Sequence, residues 1–231
     1  MFPIRDDNPG RRVPAVTIAL IVSCIVTFLW QTAGGMSEAQ QIYGLGVTPA
    51  FLFGEQEQPA QYALIPAWLT IFSSMFLHGD WLHLLGNMLY LWIFGDNVED
   101  TLGHVRFLFF YLLCGIAAIF ANALPQMSSA IPMIGASGAI SGVLGAYLLL
   151  FPRARVLIII PIFIIIRALW APAWLVLAFW FVLQVINSIV FARLEGGGVA
   201  WGAHIGGFLT GMLLLMLFMF TRRSNSRRLQ D

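Results

Sequence analysis

The chain contains no lysine, only two cysteines and few charges of either sign: twelve arginines and eleven acidic residues, 10% charged in all. A soluble domain of this size carries about 25% charge, so the shortage excludes an ordinary water-soluble domain. A net charge of +1 gives no sign of a nucleic-acid partner, and none is expected. Cys24 and Cys114 both fall inside apolar runs and read as small buried side chains rather than a disulfide or metal site. No HExxH occurs, and a metal-dependent protease or transporter built on His78, His83 and His204 would also lack a carboxylate midway through a span. No cofactor is expected. What is present instead is apolar: 59% hydrophobic residues over 231 positions and a mean hydropathy of +0.84, the composition of a polytopic membrane protein with one compact domain.

Apolar runs of membrane-spanning length fall at 13–33, 81–98, 105–124, 135–151, 171–192 and 201–221. The expected fold is an all-α bundle of six transmembrane helices with a long first extracytoplasmic loop, residues 34–66, punctuated by Gly34, Gly35, Pro49, Gly54, Pro59 and Pro66. Residues 153–170 are apolar and β-branched, but Pro161 interrupts them and Arg153, Arg155 and Arg167 bound them. They read as an interfacial segment rather than a seventh span. Arginine placement supports six. With both termini cytoplasmic, eleven arginines lie inside (5, 11, 12, 106, 153, 155, 167, 222, 223, 227 and 228) and Arg193 alone outside, as the positive-inside rule requires. The expected domains are a cytoplasmic segment, 1–12, a membrane domain, 13–221, and a basic cytoplasmic tail, 222–231. The polar N-terminus is followed by a long apolar run without a small-residue cleavage site, so no cleavable signal peptide is expected.

Spans two, four and six descend in the same direction, which places His83 and Asn87, Ser137, and His204 near the outer ends of three different helices. Polar groups at membrane depth are costly and mark function. Ser137, Ser141 and Gly145 share one face of span four; His204, Gly207 and Gly211 share one face of span six. Small residues let helices approach closely in lipid, and aligning the two stripes sets Ser137 opposite His204. A serine needs a base to take its proton and donors for the oxyanion that follows. His204 is the candidate base. Asn87 and His83, one helical turn apart, offer N–H donors, and the amide of Ser137 sits at a helix N-terminus where donors lack partners. No carboxylate lies at this depth to orient His204, because Asp96, Glu99 and Asp100 fall at the inner end of span two. The pattern reads as a Ser–His dyad.

The stretch from Phe76 through His78 and His83 to Asn87, the Gly135-Ala136-Ser137-Gly138 turn, and Gly202-Ala203-His204 with Gly206, Gly207 and Gly211 resemble the rhomboid family of intramembrane serine proteases. The likeness runs from the first span to the sixth, with three motifs in order. It implies a six-helix core with Ser137 as nucleophile, His204 as general base, and His83 and Asn87 at the oxyanion. It implies single-span or polytopic membrane-protein substrates cleaved in or near a membrane helix, with membrane lipid as the surrounding partner. Glu99, Gly103 and Arg106 resemble a structural polar cluster of the family. Two positions depart. Leu69-Thr70 stands where some members have Trp-Arg, leaving the anchoring of the first loop open. Ser141 stands where some bacterial members place a tyrosine against the histidine, so another group must hold His204, with Ser141 itself a candidate. A bacterial cytoplasmic membrane is the expected location. A non-catalytic binder of membrane helices is the competing class, opposed by the intact serine and histidine.

The remaining polar residues read mainly as structural. His78 marks a loop–helix junction and His104 an interface. Gln184 and Asn187 read as bonding neighbouring helices, with lining of the substrate path as the alternative. Gly196-Gly197-Gly198 reads as a cap over the site. Trp68, Trp81, Trp170, Trp174 and Trp201 read as interfacial anchors.

Overall fold

The computed structural model describes residues 2–162, 165–191 and 199–228. Each of the six apolar runs is helical. In chain order the helices are α1 (Ala15–Thr32), α2 (Glu38–Leu45), α3 (Pro49–Leu52), α4 (Thr70–Ser73), α5 (Trp81–Leu102), α6 (His104–Ala123), α7 (Ser137–Leu150), α8 (Ala173–Phe191) and α9 (Trp201–Arg228). The molecule is a multi-pass membrane protein. Among the described residues, four helices are long and apolar enough to cross a bilayer: α1, α6 with its extension to Gln126, α8, and α9 as far as Phe220. α5 meets that standard only together with Ala60–Phe76, from which it is bent by 77°. α7 has 14 residues, a length of only ~21 Å against ~30 Å of hydrocarbon. Length and composition therefore account for four spans, or five with the bent pair, where the sequence counts six.

The short helix α7 is the centre of the bundle. Every residue from Gly138 to Tyr147 is buried, against α5, α6 and α9. Its contact with α9 is backbone to backbone. A Cβ at Gly207 would lie 2.1 Å from the Gly138 carbonyl oxygen, and one at Gly211 would lie 2.0 Å from that of Gly142. Only glycine permits this approach. Of the expected stripe on α7, Ser137–Ser141–Gly145, Ser137 reaches His204 and Gly145 packs on Phe208 of α9, with the Gly138 and Gly142 carbonyls beside them against Gly207 and Gly211. Ser141 instead turns its hydroxyl back to donate to the Ser137 carbonyl at 2.7 Å.

The fold is mostly helical, and a small sheet is added to the expected all-α bundle. Strand β1 (Phe2–Asp6), β2 (Arg155–Ile162) and β3 (Ile165–Pro172) form an antiparallel sheet in the order β1-β2-β3. This is the run that was too short for a span. Successive side chains of a strand point to opposite faces, so that Val156 and Ile158 join the core. Pro161 is paired with Ile166 of β3, while the described pairing with β1 reaches only Phe2↔Ile159, so on that side no described residue faces the missing N–H. On the N-terminal side, Asp7 pairs with Arg155 at 3.6 Å and the Arg11 amide donates to Asp100 at 3.1 Å.

Candidate active site

The site is assembled from loops tied to one another ahead of the helices. Val47 and Met133 exchange backbone hydrogen bonds of 3.0 and 2.7 Å, the Ala50 amide donates to Ser129, and the Gly135 amide donates to the Ser74 carbonyl at 2.8 Å. The Ser73 hydroxyl donates to the Leu45 carbonyl at 2.6 Å. The first connection is thus pinned directly to the turn before Ser137. Backbone pairing does the anchoring at a place where a Trp-Arg pair is absent, and Thr70 only caps locally, donating to the Ala67 carbonyl.

Ser137 and His204, 67 residues apart in the chain, meet with Oγ and Nε2 2.8 Å apart. The glycine contact between α7 and α9 brings them together, since each lies at the start of its helix. His204 is not held by Ser141, whose hydroxyl is engaged elsewhere. Its Nδ1 lies 2.8 Å from Oε1 of Gln184 on α8. The ring also meets two tryptophans: Trp180, with centroids 5.9 Å apart and planes 33° apart, and Trp201, 5.8 Å away and edge-on. Trp201 therefore does more than anchor, while Trp68, Trp81, Trp170 and Trp174 are exposed as expected.

His83 and Asn87 converge on Gly135. Asp80 caps α5 by accepting from the His83 amide at 2.8 Å, and the helix then projects both side chains to one side. A Cβ at Gly135 would lie 2.8 Å from His83 Nε2 and 3.8 Å from Asn87 Nδ2. Gly135 has φ +119°, a conformation a side chain disfavours, so the residue is needed for shape and for space. The Gly79 amide donates to His83 Nδ1 at 3.4 Å. That leaves Nε2 as the N–H, aimed at Gly135 as a donor. Asn87 Nδ2 is buried and has no hydrogen-bond partner among the described residues. No side chain caps the N-terminus of α7, so its first amides also face this space. His83 and Asn87 thus flank the glycine two residues before Ser137, whose hydroxyl lies against His204.

His78 lies at the loop–helix junction, buried edge-on to His83 with centroids 5.1 Å apart. Its backbone is gripped by Gln31, which accepts from the His78 amide at 3.1 Å and donates to its carbonyl at 3.3 Å. At the far end of α5, Glu99 is 1% exposed and accepts from the Val16 and Thr17 amides and the Thr17 hydroxyl. His104 pairs with it, while Arg106 is exposed. The proposed cap, Gly196-Gly197-Gly198, lies outside the described residues, as does Arg193. Gln184, Gln31 and Gly135 were the contributors least apparent in the sequence. Gln184 carried one signal, a polar side chain in a mostly apolar helix one turn from a tryptophan.

Helical membrane architecture and a partly buried serine–histidine pair at the mouth of two glycine-packed helices define a narrow class. A family model described as the Rhomboid domain matches residues 66–221, and the chain belongs to the rhomboid family. It is 30% identical over 195 residues, 82% of its length, to "Rhomboid protein 1, mitochondrial" of Saccharomyces cerevisiae, covering 54% of that protein. It is 30% identical over 166 residues to "Rhomboid-like protein 11, chloroplastic" of Arabidopsis thaliana, 68% of this chain and 54% of the relative. It is 32% identical over 136 residues to "Rhomboid protease GluP" of Bacillus subtilis, 58% of this chain and 24% of that one. The chain therefore spans about half, or less, of the length of these relatives.

Proposed function

We propose that the protein is an intramembrane serine endopeptidase that cleaves membrane-protein substrates in or near a membrane helix. The observation that carries this reading is the 2.8 Å approach of His204 Nε2 to Ser137 Oγ, within hydrogen-bond reach for a base and its nucleophile. In the proposed reaction, the Ser137 oxygen attacks the scissile carbonyl while His204 takes its proton. The tetrahedral oxyanion receives hydrogen bonds from Asn87 Nδ2, His83 Nε2 and the free amides of α7. His204 then returns the proton to the leaving amine, and water hydrolyses the acyl-serine by the same steps. No cofactor takes part. That one relative is named a protease supports the reading.

The same proposal counts α5 and α7 as spans, giving six. The short α7, walled by protein, then begins below the outer surface, and Ser137 lies recessed at its mouth. The arginine distribution supports cytoplasmic termini, with 1–12 and 222–231 as flanking segments of a 13–221 membrane domain. A bacterial cytoplasmic membrane is the proposed setting, supported by the Bacillus relative. The test is cleavage of a transmembrane reporter by purified wild type and Ser137→Ala in detergent. Cleavage by wild type alone is expected. Equal cleavage by both rejects the assignment, and failure of a fluorophosphonate probe to label Ser137 favours a non-catalytic helix binder.

A further inference from the structure

A buried glutamine in an apolar helix needs a reason, because leaving its amide unpaired is costly. Gln184 is 5% exposed, and α8 buries only it and three residues near its beginning, Ala173, Val176 and Leu177. Its Nε2 donates to the Trp180 carbonyl at 2.9 Å. A carbonyl oxygen only accepts, so this bond fixes which end of the amide is which. Oε1 must then be the atom facing His204, at 2.8 Å from Nδ1. That oxygen also only accepts, so Nδ1 must carry the hydrogen. Nε2 is left as a lone pair, and the hydrogen of the 2.8 Å contact with Ser137 belongs to the serine. The polarity of the whole chain follows from one backbone carbonyl: Trp180 C=O, Gln184 amide, His204 ring, Ser137 hydroxyl.

We propose that Gln184 is the positioning residue of this site, holding His204 as the Nδ1–H tautomer with Nε2 turned to the Ser137 proton. The proposal deepens the protease reading and rests on it for its catalytic meaning. Gln184 does from a third helix what a carboxylate does in a soluble triad, without a charge at membrane depth. His83 is set the opposite way, by the Gly79 amide at its Nδ1. The two imidazoles of one site are thereby given opposite roles, His204 as acceptor and His83 as donor.

The decisive measurement is the nitrogen NMR spectrum of protein labelled with 15N-histidine in micelles, above the histidine titration range. The chain has four histidines, and the His204 signals are those missing from His204→Ala. Wild-type His204 should show N–H at Nδ1 and a lone pair at Nε2. Gln184→Met, of similar size but without the acceptor, should move it toward the Nε2–H form that free imidazole prefers. Gln184→Glu keeps an acceptor oxygen whether ionised or protonated and should restore the Nδ1–H form. In turnover, Gln184→Met should lower kcat at least ~10-fold at unchanged KM, forfeiting part of the roughly 10²–10⁴ that a positioned base contributes. Gln184→Glu should recover most of it. A wild-type His204 carrying its hydrogen on Nε2, or a tautomer or kcat unchanged in Gln184→Met, overturns the proposal. The spectrum reads the tautomer in the wild type without turnover, so a failed protease reading, seen as Ser137→Ala equal to wild type, is told apart from a failed role for Gln184.

Discussion

The two ends of the bundle use polar groups in opposite ways. At the end that carries Ser137, Asp80 caps α5 but the groups next to the serine are amides and imidazoles, sparingly bonded: Asn87 Nδ2 has no partner among the described residues, and His204 is held by an amide. At the opposite end the same helices meet carboxylates whose oxygens are engaged. Glu99 accepts from the Val16 amide at 2.9 Å, the Thr17 amide at 2.8 Å and the Thr17 hydroxyl at 2.7 Å, and pairs with His104. Asp6, from β1, accepts from Tyr147 on α7 and from Asn97 on α5, the latter at 3.3 Å. The difference teaches where rigidity comes from. α5 and α7 are clamped at one end by saturated acids and can present free donors at the other. A donor left unpaired for substrate costs stability, and the opposite end offsets it.

The largest expected effect removes what joins the two ends. Gly211→Leu would drive a side chain into the Gly142 carbonyl, 2.0 Å from the added Cβ. α9 must then move from α7, and Ser137 and His204 separate. Reporter cleavage and probe labelling should both vanish, and Tm should fall. Retained labelling would show that the glycine contact is not what assembles the pair. Next comes a paired test of the comparison. Glu99→Ala strands several buried donors and should cost about 3 kcal/mol of stability. Asn87→Ala should cost about 10²–10³ in kcat while Tm holds or rises, since an unpaired buried amide is removed. Tm and kcat measured in one detergent check both. Equal destabilisation by the two changes would break the distinction.

Much of this was legible in the sequence because membrane helices and glycine contacts write themselves locally. Apolar runs located α1 and α5 to α9, and the motifs around His83, Ser137 and His204 led to residues that the fold places together. What was not legible depends on groups brought from elsewhere. The strand formed by Phe2–Asp6 exists only because β2 offers an edge, 150 residues away in the chain by the pairing of Asp6 with Val156. No local pattern tells that α9 packs on the carbonyls of Gly138 and Gly142 while the Cβ positions of these two glycines face Ala118 and Cys114 of α6. Gln184 reads as a packing residue until its partner is known, because an amide in an apolar helix does not say which of its atoms faces which neighbour.

The smallest effect asks whether the opposite end is held by charge or by a buried acid. Burial pushes the Asp6 carboxyl above its usual value of 3.8, with Asp7 adding to the rise and hydrogen bonds from Tyr147 and Asn8 opposing it. Asp96 bonds to the same Asn97 that reaches Asp6. A group whose folded pKa is raised binds its proton more tightly in the folded chain. Its contribution is complete below the unfolded value and is lost as pH rises through the folded one. Asp6→Asn cannot titrate, so the difference in Tm between wild type and variant isolates this residue from the other acids. That difference should move against the wild type as pH rises from about 3.8. Movement the other way would mean that the Tyr147 and Asn97 donors outweigh burial, and that β1 is clamped to α5 and α7 by an ionised carboxylate, as α1 is clamped by Glu99.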